Sequence, residues 1–121
     1  MFTIINGIPE DILGVVISGK TTETDYDQLN PLLEKHKTMN GAIKLFVEID
    51  NLDYTAKAMW EDFKAGLHYW QAIKSVAIVT DKKMLENSLE ALGAVVPGMK
   101  IEGFSLDERQ KGLNWLKKQE N

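Results

Sequence analysis

Ile43-Lys-Leu-Phe-Val-Glu-Ile-Asp50, with the run that follows it to Trp70, decides the fold. Ile43, Leu45, Val47 and Ile49 alternate with Lys44, Phe46, Glu48 and Asp50. One face of a strand is then wholly apolar and the other mixed. After a short acidic loop, Ala56, Met59, Trp60, Phe63, Leu67 and Trp70 follow at spacings of 3, 1, 3, 4 and 3. That spacing predicts one apolar stripe on a helix starting at about Thr55. Lys57, Glu61, Asp62, Lys64 and His68 take the other side. A buried strand feeding an amphipathic helix is half of a βαβ unit.

Working outward, Phe2 to Gly7 reads as a strand and Ile8-Pro-Glu-Asp11 as a turn. Ile12 to Ser18 is a second strand, antiparallel to the first because the connection is so short. A helix is expected from about Thr24 to Met39, with N-caps available in Thr22-Thr-Glu-Thr-Asp-Tyr. Pro31 should make its first half irregular, and Asn40-Gly41 should stop it. Ser75 to Thr80 is a fourth strand, and about Lys82 to Val95 a third helix, with Leu85, Leu89 and Leu92 inward. Met99 to Phe104 is a fifth strand. Ser105-Leu-Asp-Glu108 is a capping box opening a last helix that turns Leu113 and Leu116 inward. The expected class is α/β, ordered ββαβαβαβα: a five-stranded, mostly parallel sheet whose first strand is antiparallel, with four helices mainly on one face.

At 121 residues, one domain spanning 1–121 is expected. Hydrophobic residues at 44% and charged residues at 26% are those of a globular protein, which excludes a disordered chain. The net charge of −4 argues against a nucleic-acid partner. With no Cys, disulfides, thiol nucleophiles and zinc–thiolate sites are excluded together. Met-Phe-Thr-Ile-Ile-Asn lacks the basic and apolar regions of a signal peptide. No apolar run approaches the ~20 residues of a membrane span. A cytoplasmic protein with no integral membrane association is the expectation.

The second face of the sheet is expected to be partly wet, since it carries Thr3, Ser18, Lys44, Glu48, Lys100 and Glu102. Ile5, Val16, Phe46, Ala77 and Val79 fall in its middle. They form either a thinly covered sheet face or a surface for a homodimer or protein partner. On the second reading Phe46→Lys would change the molecular mass in solution.

Ligands of open parallel sheets sit beyond the carboxyl ends of the strands. Asp50, Asp53, Thr55 and Asp81 could converge there as a polar site, with the carboxylates suited to Mg²⁺ or Ca²⁺. The same residue types are ordinary in loops and at N-caps. Neither His36 nor His68 has metal-ligand spacing, and no phosphate loop or nucleophile elbow is present. No cofactor, metal or catalytic residue is therefore assigned. His36, near a helix C-terminus, is expected to favour its charged form. Met59, Trp60, Phe63, Leu67 and Trp70, with Met84, either form core or line a pocket for a small apolar ligand.

Four segments resemble the SpoIIAA-like family of small bacterial proteins. They are Gly19-Lys-Thr-Thr-Glu-Thr-Asp-Tyr26 with Pro31 downstream, Trp60-Glu-Asp-Phe63, Val76-Ala-Ile-Val-Thr-Asp81, and Phe104 followed by the helix ending Asn114-Trp-Leu116. That family is related to STAS domains and shares its general fold with CRAL-TRIO lipid-binding domains. The resemblance implies strands in sequential order with helices predominantly on one side. STAS relatives include anti-anti-sigma factors switched by phosphorylation of a Ser in an Asp-Ser pair after the third strand. Here that loop reads Asp50-Asn-Leu-Asp-Tyr-Thr55, so Thr55 supplies the hydroxyl in place of that pair. Resemblance and residues together point to a non-enzymatic binding or regulatory module for a lipid-like ligand or a protein partner. A phospho-switched regulator and a carboxylate- or metal-dependent enzyme are the alternatives.

Overall fold

Five strands run side by side in sequence order, β1 (Phe2–Ile4), β2 (Ile12–Gly19), β3 (Ile43–Leu52), β4 (Ile73–Thr80) and β5 (Lys100–Ser105). The computed structural model describes residues 1–52, 56–81 and 98–119. β1 is antiparallel to β2 and the other pairings are parallel. Helix α1 (Glu23–Asn40) links β2 to β3, and α2 (Ala56–Gly66) with a 3₁₀ turn at Trp70–Ala72 links β3 to β4. A second 3₁₀ turn, Leu106–Glu108, leads into α3 (Arg109–Lys117). The helix expected at Lys82–Val95, with Met84, lies outside the described residues, as do Asp53, Thr55 and the Trp60 side chain.

The alternation in β3 works as its pattern dictates. Ile43, Leu45, Val47 and Ile49 join Leu13, Val15 and Ile17 of β2 and Val76 and Ile78 of β4 under α1 and α2. Leu29 and Leu33 of α1 and Met59 and Phe63 of α2 close this core. Each such side chain contributes about 1.5–3 kcal/mol through apolar burial. Phe2, Tyr26 and Phe63 meet edge to face, with centroids 5.3 to 6.4 Å apart, and so tie β1, α1 and α2 together.

Thr22 caps α1: its hydroxyl accepts from the Asp25 N–H, and the Asp25 carboxylate accepts from the Thr22 N–H at 2.8 Å. The same carboxylate takes the Phe2 N–H at 2.9 Å, fastening β1 to α1. Burial pushes the Asp25 carboxyl up, but the donated hydrogen bonds from Phe2 and Thr22 outweigh it and hold it below the usual range. Gly41 ends the helix at φ 78°, giving its N–H to the Lys37 carbonyl at 2.8 Å. Ser105 and Glu108 form the expected capping box, which holds the Glu108 carboxyl down at about 2 through the Ser105 N–H and hydroxyl.

The expected irregular first half of α1 is not observed. Glu23–Asn40 is one continuous helix with Pro31 inside it. Pro31 is exposed, so the carbonyl one turn earlier, which loses its ladder donor, lies on the hydrated side of the helix.

Helices cover both faces of the sheet, which corrects the expectation of a wet second face. α3 lies across Phe46, Ala77 and Val79, and Leu116 closes that cluster with Phe104, Leu113 and Trp115 packed around it. Phe46 is 1% exposed and Val79 is fully buried, so neither belongs to a self-association surface; Ile5 and Val16 are half-buried. Gly112 allows this approach: a Cβ there would stand 3.3 Å from both the Phe46 and Phe104 rings. Arg109 of α3 also pairs with Glu48 of β3 at 3.1 Å.

His36 is corrected too. Burial, and next the neighbouring Lys35, push its imidazole below the ordinary histidine value, against an opposing pull from Asp11. The unfolded chain binds this proton near pH 6.5 and the folded chain only at lower pH. Stability is therefore full above the unfolded value and is lost as pH falls through the folded one. The thermal midpoint is expected to drop between about pH 7.5 and 5.5, and His36→Gln to flatten that part of the profile. A slope unaltered by the substitution would show that His36 titrates alike in both states.

Candidate functional site

Beyond the carboxyl end of β2, Gly19 turns the chain at φ 66° and delivers Thr21 to the space between α1 and α2. Thr21 is buried and lies 2.9 Å from the Tyr26 hydroxyl and 3.4 Å from an Asp62 carboxylate oxygen. Thr21 has one hydroxyl proton. Given to Asp62, it leaves Tyr26 as the donor to Thr21, a relay running from Tyr26 through Thr21 to Asp62.

Asn30 sets the lower boundary of this space. Its side-chain N–H donates to the Gly66 carbonyl and its Oδ1 accepts the His68 N–H, both at 3.0 Å. These two bonds replace the next turn of the helical ladder and end α2 at Gly66. The expectation of one helix reaching Trp70 is corrected accordingly: Leu67 and Trp70 lie past its end, Trp70 in a 3₁₀ turn. Gly66 is also where Tyr26 sits, since a Cβ there would stand 2.6 Å from the ring.

The result is a polar groove between α1 and α2. A hollow of about 400 Å³ is walled by Thr21, Tyr26 and Glu23 of one side and Asp62, Ala65 and Gly66 of the other. A second, of about 250 Å³, shares Asp27, Asn30 and His68 with it and continues to Pro31, Glu34 and Tyr69. Glu23, Asp27, Glu34 and Asp62 make no ion pair among the described residues, and no described Lys or Arg lines either hollow. Lys37 stands nearby, 4.9 Å above the Tyr69 ring.

The residues expected to carry function are distributed differently. Met59, Phe63 and Leu67 are buried in the main core, and Trp70 packs against it. Met59 and Phe63 share with Leu45, Val47, Ile78 and Ile101 a void of only about 20 Å³, entirely apolar. That is room for about one water, against the ~300 Å³ at which ligand pockets begin. Asp50 is exposed as the extra residue of a bulge, because Ile17 pairs with Ile49 and Ser18 with Asn51. Asp81 is exposed after β4. No group of three or more His, Asp or Glu among the described residues could hold a metal ion. No described helix is long and apolar enough to cross a membrane.

Residues 12–117 match the model of the SpoIIAA-like family. The chain belongs to that family. Its fold is also that of a solved SpoIIAA-like structure, an uncharacterized protein of the DUF3478 family from Shewanella loihica PV-4. The two are 28% identical, the match covers 96% of this chain and 92% of the other, and the TM-score is 0.62. No curated protein matches the chain. In this SpoIIAA-like chain, two of the segments that carry the resemblance meet in the groove: Thr21, Thr22 and Tyr26 from one, Asp62 from the other. Their polar residues read in sequence as caps and as the wet side of a helix. Only the packing of α1 beside α2 turns them toward each other.

Proposed function

We propose that this SpoIIAA-like chain is a non-enzymatic binding module that takes a cationic ligand in the groove between α1 and α2. The observation that carries it is three carboxylates without ion-pair partners, Glu23, Asp27 and Asp62, around a hollow edged by the Thr21 and Tyr26 hydroxyls, with a fourth, Glu34, in the adjoining hollow. An amine or guanidinium fits there, because it brings only donors to a wall of acceptors. The open form of the groove suits a basic side chain of a protein partner as well as a free polyamine. A lipid-like ligand on the Met59 stripe is less well supported, given the 20 Å³ void.

Spermidine and a short Arg-Lys peptide, titrated at low ionic strength and followed by amide NMR, test this. Shifts are expected at Thr21, Asp27, Asp62 and His68, fading as salt is added. Asp27→Asn combined with Asp62→Asn should weaken binding roughly tenfold, about 1.4 kcal/mol for two partly hydrated charges. Saturation by the peptide alone would mark a protein partner as the source. Shifts scattered over the surface, or binding indifferent to both substitutions, would reject the groove as the site.

A further inference from the structure

The chain holds two Asn-Gly pairs, Asn6-Gly7 in the loop between β1 and β2 and Asn40-Gly41 at the end of α1. Asn6, Gly7 and Asn40 line one hollow between that loop and α1, away from the acidic groove. In an Asn-Gly pair the glycine nitrogen can attack the asparagine side-chain carbonyl, because no Cβ shields it.

Along the backbone the two pairs are closely matched. Gly7 and Gly41 both have φ of 78°, and apart from chain neighbours nothing lies within 4 Å of where a Cβ would stand on either. What separates them is the nitrogen. The Gly41 N–H is given to the Lys37 carbonyl at 2.8 Å, and Asn40 is the half-buried last residue of a continuous helix. The Gly7 N–H has no partner among the described residues, and Asn6 is exposed and lies in neither helix nor strand. The loop is fastened at its ends, by Ile5 N–H to the Gly14 carbonyl at 2.9 Å and Ile12 N–H to the Pro9 carbonyl at 3.0 Å. Asn6-Gly7 lies between those bonds.

We propose that Asn6 is a site of spontaneous modification, at which the Gly7 nitrogen displaces the side-chain amide as ammonia. Hydroxide removes the Gly7 amide proton. The nitrogen forms a bond to Asn6 Cγ, the Cγ–Nδ2 bond breaks, and ammonia leaves with a proton taken from water. Water then opens the succinimide ring at either carbonyl. Opening at Cγ gives aspartate, and opening at the main-chain carbonyl gives isoaspartate, in which the chain runs through Cγ. Nothing is oxidised or reduced, and water is the only co-reactant. Ring closure needs rotation about the asparagine ψ, which the helix fixes at Asn40, and the paired Gly41 N–H is harder to deprotonate. Either product makes the chain one charge more negative than its present −4. Glu10 and Lys35 now balance at the rim of the hollow, so the new carboxylate makes that rim anionic.

The test incubates the folded protein in warm, mildly alkaline ¹⁸O-labelled water and reads each asparagine by peptide mapping with tandem mass spectrometry. Asn6 is expected to take up the label at least about tenfold faster than Asn40, divided between aspartate and isoaspartate. An acidic isoform should appear on ion exchange at the same rate. Asn6→Gln, whose longer side chain must close a larger ring, should remove that isoform, and Asn40→Gln should leave it. In denaturant the two sites should convert at similar rates, because only their matched sequences then act. Equal rates in the folded protein, an acidic isoform that survives Asn6→Gln, or a difference that persists in denaturant would overturn the assignment.

Discussion

Phe46→Ala is expected to lower stability by about 3–5 kcal/mol, read as a fall in the denaturant midpoint at an unchanged slope. The ring is 1% exposed and stands between the sheet and α3. Around it are Ile12, Ala77, Val79 and Leu116, with Gly112 giving its edge room. Truncation removes the burial energy of a whole ring and leaves a cavity that a helix resting on a rigid sheet fills poorly. Folds of this size hold only about 5–15 kcal/mol in total, so the loss is a large share. On a wet sheet face the same change would move stability by under about 0.5 kcal/mol. A small effect would therefore mean that α3 does not dock on this face. Phe46→Lys is expected to unfold the protein rather than alter its assembly, because it would bury an unpaired charge.

The reason the second face escapes a sequence reading is topological. Right-handed crossovers between neighbouring parallel strands commit α1 and α2 to the same side of the sheet, and the period of β3 shows which side. α3 follows β5 and leads to no described strand, so no handedness rule assigns its side. Gly112 and the Arg109–Glu48 pair seat it, and neither is visible as a pattern along the chain. The groove was partly legible. Thr22 and Asp25 are recognisable as a cap, but the relay from Tyr26 to Asp62 joins residues 36 positions apart in sequence. His36 was misread for a related reason. Its place near a helix C-terminus argues for charge, and the loop that comes beside it lies between β1 and β2, outside its own helix.

Asn30→Ala is expected to cost about 2–3 kcal/mol, although it removes only a small polar side chain. Asn30 is 9% exposed and satisfies two backbone groups, the Gly66 carbonyl and the His68 N–H. Alanine would leave both unpaired in a partly buried place, and each such group loses about 1–3 kcal/mol. No other described side chain is bonded to either group, so the end of α2 should fray rather than re-pair. Asn30→Asp separates the two bonds: it keeps an acceptor for the His68 N–H but sets a carboxylate against the Gly66 carbonyl. Amide exchange at His68 should thus accelerate strongly in Asn30→Ala and less in Asn30→Asp, while exchange in β3 follows global stability alone. Because Asn30 walls both hollows, the alanine substitution should also weaken spermidine binding with every carboxylate still in place. Faster His68 exchange with unchanged spermidine affinity would show that the ligand does not need the ordered end of α2.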